Sequence, residues 1–398
     1  MNYKTITSRL ALPAALLISL ALPANASESV LYSFDSSANG GPYGRLLLQK
    51  NALFGTTDED GDVYGTVFEL KKSGSTWKKK TLFAFDGTNG AYPFAGLIAD
   101  ASGVLYGTSS SAGPYNGGTA FMLSNADGVW SEQTIWNFGN TGDGDAPTCD
   151  LIMDSTGTLY GTTQSGGVYN LGTVFKLSNS GGVWTDTVLY SFAGGNDGQH
   201  PAAGLVMDNS GALFGTTIQG GTNNEGTAFE LAQSGGTWTE TVLHAFGSGN
   251  DGQQPGGGPL VMNAGGDLYG TTQYGGAKDW GIVFVLSLSG RKWKEKVLHT
   301  FTDGNDGGTP EGGLLMGDAG VLYGTTSGGG MNNGGTVFAL SKSGGAWTES
   351  VLSNFPNTSG DGEFPRAAVI EEKKTGTLYG TTSSGGADTW GTVYQILQ

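Results

Sequence analysis

Residues 159–177 read LYGTTQSGGVYNLGTVFKL. The stretch has two halves, LYGTT and GTVF, separated by a glycine-rich gap. The first half recurs at Leu53, Leu105, Leu159, Leu213, Leu268, Leu322 and Leu378, at spacings of 52, 54, 54, 55, 54 and 56 residues. The second recurs at Gly65, Gly118, Gly172, Gly226, Gly281 (as Gly-Ile), Gly335 and Gly391. A fixed period of this length marks one supersecondary unit stacked on its neighbours. Seven copies fill nearly the whole chain of 398 residues, so length implies one repeat array rather than two unrelated domains.

Within the third copy, the apolar run 150–154 reads as a first strand, a, and 159–163, rich in β-branched and aromatic residues, as strand b. Residues 172–177 read as strand c, a Ser-Gly-Gly turn follows, and 184–192 form strand d, the longest. By the two-residue period of a strand, Trp184, Val188, Tyr190 and Phe192 share one face and Leu189 takes the other. Apolar groups on both faces suit a sheet held between two neighbouring sheets. The tryptophan recurs at Trp77, Trp130, Trp184, Trp238, Trp293 and Trp347, five residues before a Leu or Ile each time, as expected of core between units. Four short strands per unit, seven times over, predict an all-β, seven-bladed β-propeller with four-stranded antiparallel blades. The two ends sharpen this. A lone strand d, residues 30–34, opens the chain and a strand c, 391–397, closes it, so the first completes the last sheet and shuts the ring. Closure removes the edges that invite aggregation, and a monomer is expected.

With 72 glycines and 12 prolines, a chain without a period would read as low complexity. With one, the glycines are tight turns between strands. The single cysteine, Cys149, rules out an internal disulfide and reads as a small buried apolar residue. The net charge of −16, or −18 without Lys4 and Arg9, excludes nucleic acid and anionic membrane surfaces as partners. Residues 1–26 carry those two cations, an apolar run from Leu10 to Pro23 and a final Ala-Asn-Ala, the pattern of a secretory signal peptide. The expected organisation is therefore a signal peptide, 1–26, then one propeller domain, 27–398, periplasmic or released.

The ordered set D-G-x-x-P-x-x-G-L, G-x-L-Y-G-T-T-x-x-G-G and G-T-V-F-x-L resembles the GloVer repeat of bacterial exported "choice-of-anchor tandem repeat" proteins, over roughly residues 30–398. The resemblance implies export and often a C-terminal anchoring segment, which the end of this sequence is not expected to supply. It lends no catalytic residues. More loosely, the S-G-G-x-W turn between c and d is similar to the Asp-box hairpin of sialidase-type propellers, without its Asp. Arg45, Arg291 and Arg366 lie on different repeats, so no arginine cluster of the sialidase kind is expected.

In propellers the d-to-a and b-to-c loops emerge together and bind ligands, an analogy at the level of fold. The b-to-c gaps vary most between copies. They carry Tyr115 and Asn116, Tyr169 and Asn170, Asn223 and Asn224, Trp280, Asn332 and Asn333, and Trp390. Aromatic rings beside amides suit stacking on sugars with hydrogen bonds to hydroxyls, and rigid scaffolds present binding residues on such loops. The same groups would also serve to cover blade ends. His200 joins them from a d-to-a loop, while His244 and His299 occupy the strand-d position of Tyr190 and read as packing. The d-to-a loops repeat Asn-Asp-Gly at Asp197 and Asp251, and again at Asp306, a turn-forming sequence that also sets out a ring of carboxylates. Calcium is a candidate cofactor, most of all at Asp58, Asp60 and Asp62, which take positions 1, 3 and 5 of a calcium loop. Position 6 is Val63 rather than the glycine of an EF-hand, and Glu69, at position 12, falls in strand c.

Three functions fit this pattern. The first is an exported, non-catalytic propeller that binds a glycan, peptide or cell-envelope protein through its loop face. The second is an extracellular carbohydrate hydrolase or lyase using Asp197, Asp251 or Asp306. The third is a purely structural envelope protein. Catalytic carboxylates are singular, set apart by their surroundings. Here the acids recur with the repeat, which favours binding.

Overall fold

A computed structural model describes residues 27–35, 41–58, 64–355 and 360–398. The expected signal peptide, residues 1–26, therefore lies outside the described residues. Seven four-stranded antiparallel sheets form the blades of a propeller. The third blade runs Ile152–Met153, Leu159–Thr163, Thr173–Ser180 and Val183–Ser191. Strand b matches its expected bounds. Strand a shrinks to two residues and strand c extends by three into the hairpin. The seventh blade is Ile370–Glu372, Thr377–Thr382 and Thr392–Leu397, completed by Ser27–Ser33, whose Val30 pairs with Tyr394. The ring closes as the complementary ends require. Among the described residues no helix is long and apolar enough to cross a membrane.

Strand d departs from a plain two-residue alternation. In the third blade Tyr190 pairs with Val174 and Val188 with Phe175, which leaves Leu189 as an extra, bulged residue. Every blade repeats the bulge, at Leu31, Leu82, Ile135, Leu189, Leu243, Leu298 and Leu352. One extra residue inverts the facing of all that follow. Trp184 therefore does not share a face with Tyr190 and Phe192. Its ring meets Tyr106 of the preceding blade, 6.1 Å between centroids, while Phe192 meets Phe229 of the following blade at 5.2 Å. A single strand thus binds both neighbours, and apolar clusters lie between consecutive blades around the ring.

The LYGTT strand explains itself in the same terms. Its glycine makes room for the strand-c aromatic: a Cβ on Gly161 would stand 2.7 Å from Phe175 Cζ. The last Thr meets the Thr of GTVF within the blade, as in Thr163 with Thr173 at 2.8 Å. The first Thr donates to a carbonyl of the next blade: Thr56 to Ala95, Thr162 to Ala203, Thr271 to Gly312, Thr325 to Ala367 and, across the seam, Thr381 to Gly44. Thr216 breaks the series, and its buried hydroxyl has no partner. The cause is in the sequence. The fifth repeat has Pro255-Gly-Gly-Gly-Pro-Leu260, one residue longer than Pro201-Ala-Ala-Gly-Leu205.

Candidate functional site

Short ribbons tie the two loop sets together on one face. Gly144–Asp145, from a d-to-a loop, pairs with Ser165–Gly166 of a b-to-c loop, and three other such ribbons follow at Gly198–Gln199, Gly252–Gln253 and Gly362–Glu363. At the centre of this face lies a cavity of about 330 Å³, lined by the residues that enter strand a in every blade. Its size falls at the small end of the range of about 300–1,000 Å³ for ligand sites.

The walls of this cavity are unlike one another. The residue directly after the loop proline is Tyr43, Phe94, Thr148, Ala202, Gly256, Glu311 or Arg366 in successive blades. Arg366 Nη1 donates to Glu311 Oε2, and its Nε donates to Ser383 Oγ at 3.2 Å. Glu311 Oε1 accepts from Ser327 Oγ at 3.0 Å. The Arg366 guanidinium also stands 5.8 Å from the centre of the Tyr43 ring, a cation–π distance. Tyr43 in turn meets Phe94 edge to face at 5.6 Å. Farther round, Arg45 Nε forms an ion pair with Asp150 Oδ2 at 3.2 Å, and Asp150 Oδ1 accepts the Gly96 amide at 2.6 Å. This pair reaches across the second blade, and it needs Gly96: a Cβ there would stand 2.6 Å from the Arg45 carbonyl oxygen and 3.0 Å from Asp150 Oδ1. The opposite wall is bare, made of Ala202, Gly204, Gly256, Gly257, Gly258 and Pro259.

Arg45 and Arg366 thus line one cavity, contrary to the expectation drawn from their separate repeats. Closure of the ring makes the first and last blades neighbours. Cys149 also lines it, buried as expected, its Sγ 2.9 Å from Thr162 Oγ1; burial pushes the thiol up to about 11. The informative signal in the sequence was the column after the proline, where the repeats agree least.

None of the sequence-selected binding residues lines the cavity. Tyr115, Tyr169 and Trp280 are 54%, 58% and 39% exposed. The Asn positions divide. Asn116, Asn170, Asn224 and Asn333 adopt positive φ, near 60°. The carboxamide oxygens of Asn170, Asn224 and Asn333 accept the amides of Gly166, Gly220 and Gly329, so these three close their turns. Asn223 donates to the Phe246 carbonyl, Asn332 lies at an exposed turn, and Trp390 packs at the seam. The His200 ring nitrogen Nδ1 lies 2.9 Å from the Gln164 carbonyl. His244 and His299 pack edge to face on Phe246 and Phe301; His244 also bonds the loop carboxylate of Asp251 at 2.8 Å, while His299 Nε2, 3.4 Å from Asp306, makes no hydrogen bond. Of the calcium-loop positions, Asp60 and Asp62 lie outside the described residues and Asp58 lies within them. Among the described residues no group of three or more His, Cys, Asp and Glu is placed to hold a metal ion.

The loop aspartates serve another arrangement. Each faces an acid two residues past the tryptophan position of the next blade: Asp86 and Glu132, Asp143 and Asp186, Asp197 and Glu240, Asp251 and Glu295, Asp306 and Glu349, Asp361 and Glu28. At the remaining interface Lys79 takes this place, 5.1 Å from the centre of the Phe34 ring. The loop members are well supplied with donors; Asp197 accepts from Tyr190, Ala193 and Gly198. Their partners are not: Glu28, Asp186, Glu240, Glu295 and Glu349 each have a buried oxygen without a hydrogen bond. Burial first, and the facing aspartate second, push Glu28, Glu240, Glu295 and Glu349 up to about 7. The same causes push Asp186 up beside Asp143. At these five interfaces the buried acid therefore retains its proton above the ordinary carboxylate range.

Fold and site together define a closed seven-bladed propeller whose repetition is broken at the axis by paired charges and aromatic rings. The chain belongs to the Gloeobacter/Verrucomicrobia repeat family, whose model matches residues 16–142, 130–265 and 208–398. No curated protein matches it. Among solved structures, it is similar to a candidate 6-phosphogluconolactonase from Bacteroides uniformis ATCC 8492, with 16% identity, a TM-score of 0.53, and coverage of 79% of this chain and 84% of that one. It is likewise similar to a protein from Lactobacillus plantarum, with 16% identity, a TM-score of 0.51, and coverage of 78% and 84%. At such identities the likeness is one of fold.

Proposed function

We propose that the protein is an exported, non-catalytic binding propeller that receives a glycan, peptide or partner protein on the face formed by its d-to-a and b-to-c loops. One observation carries this reading: the repeat is followed closely in the blades and abandoned at the mouth of the axis. A purely structural ring has no use for such a departure. Catalysis by paired carboxylates needs two acids in contrasting surroundings. Asp150 and Glu311 instead have the same kind of partner, an arginine, and the loop aspartates are engaged in the interfaces between blades.

The test is a broad glycan and peptide array probed with the full chain, followed by mapping of any hit with substitutions on both faces. Binding that is lost on changes to the loop face supports the proposal. Binding that maps to the a-to-b turns on the opposite face overturns it. Turnover of a polysaccharide that disappears in Asp197→Asn would replace it with the hydrolase or lyase reading.

A further inference from the structure

We infer that the axial cavity is a subsite for an uncharged saccharide, seated against Tyr43 and Phe94 and hydrogen-bonded by the two arginine–carboxylate pairs. The inference rests on the binding reading above and narrows it to a place and a chemical class.

The charge of the cavity selects the class. Arg45 and Arg366 are matched by Asp150 and Glu311, so the walls are neutral in sum. An anionic ligand would have to sit beside two carboxylates, in a chain whose net charge is −16. A cation would sit beside two guanidiniums. A hydroxyl meets neither objection, because it donates and accepts at once. It takes a hydrogen bond from a guanidinium and gives one to the carboxylate paired with it, leaving the charge balance unchanged.

The donors for this are present. A guanidinium carries five N–H groups. Among the described residues, Arg366 commits Nε to Ser383 and one Nη1 hydrogen to Glu311, and Arg45 holds Nε in an ion pair with Asp150. The remaining donors belong to side chains that keep 37% of their surface exposed. The carboxylates are held in place from behind, Asp150 by the Gly96 amide and Glu311 by the Ser327 hydroxyl. A site fixed in this way binds without first having to order its own side chains. The aromatic pair supplies the apolar surface on which the C–H face of a sugar rests. The glycine and alanine wall opposite supplies space, since Ala202 and Gly256 stand where other blades carry Tyr43 and Phe94.

The inference is tested by calorimetric titration of the full chain with a panel of neutral mono- and disaccharides, with glucuronate and inorganic phosphate alongside. At least one neutral sugar binds and the two anions do not. Affinity falls about tenfold or more in Tyr43→Ala and in Arg366→Met, as for anchoring groups at the centre of a site. It is unchanged in Val183→Ala, exposed at the hairpin between strands c and d. Ala202→Tyr gives an independent arm. It places on the bare wall a side chain that another blade already carries at Tyr43, so the ring still folds, and it abolishes binding by filling the space. Circular dichroism and melting of each variant confirm the fold. Binding of glucuronate or phosphate in place of neutral sugars overturns the class and leaves the binding function standing. Sugar binding that survives Ala202→Tyr and is lost in Tyr169→Ala overturns the place. Silence of the whole panel, with a peptide or protein hit on the arrays, overturns the inference alone.

Discussion

Raising the pH from about 5 to about 8.5 should loosen the ring, and the interfaces between blades state by how much. Glu28, Glu240, Glu295 and Glu349 are raised from 4.5 to about 7 in the folded chain. A group raised by folding contributes stability that is fully present below its unfolded value and is lost as pH climbs through its folded value. The window is thus from about 4.5 to about 7. At about 1.4 kcal/mol per pH unit the ceiling is about 3 kcal/mol for each acid. These side chains retain contact with water, and screening reduces each to about 1 kcal/mol. The four together lose about 4 kcal/mol. With an unfolding entropy of about 2 cal/mol/K per residue, the melting temperature falls by about 5 °C. Differential scanning calorimetry across this range measures it. Glu240→Gln isolates one interface: the amide cannot ionise, so the variant gains about 1 kcal/mol over the parent at high pH and nothing near pH 5. On the acid side Asp86, held low by the hydroxyl and amide of Thr88, works in the opposite sense, its contribution being lost as pH falls through its folded value. A melting temperature that is flat or rising between pH 5 and 8.5, or a Glu240→Gln profile parallel to the parent, would refute the reasoning.

Three other outcomes follow from the packing. Tyr394 replaces the phenylalanine of the other blades, and its buried hydroxyl has no partner; Tyr394→Phe should raise the urea midpoint, by about 1 kcal/mol of stability. Thr162→Val removes the bond to the Ala203 carbonyl at 3.1 Å and should cost about 1 kcal/mol by the same measurement, whereas Thr216→Val, at the hydroxyl without a partner, should cost nothing or stabilise. Gly161→Ala drives a methyl against Phe175 Cζ and Leu151 Cδ2, at 2.7 and 2.9 Å, and should lower stability by about 1–3 kcal/mol in thermal melts.

The blades are legible in the sequence because each must bury the same faces, so the LYGTT and GTVF runs repeat with little change. Facing along strand d is not. The bulge at Leu189 is a backbone event whose only trace is a leucine at a fixed distance after Trp184, and simple alternation assigns Trp184 to the wrong neighbour. The cavity is hidden for a different reason. A repeat analysis prizes what recurs, and Tyr43, Phe94, Glu311 and Arg366 matter by not recurring. Nor does distance along the chain betray that Arg366 and Tyr43 touch, since only the pairing of Ser27–Ser33 with Thr392–Leu397 brings them together. The loop residues chosen from sequence were chosen for exposure and chemistry, and Asn170, Asn224 and Asn333 show how often an exposed amide is occupied in shaping its own turn.

That pairing has a bearing on any molecule the cavity admits. The charged arc crosses the seam, with Glu311 and Arg366 on one side and Tyr43, Phe94 and Arg45 on the other. A ligand gripping both sides is a clasp on the ring. By mass action it favours the shut form over the sprung one, and it should shield the two terminal strands from proteases far more than it shields the blades opposite.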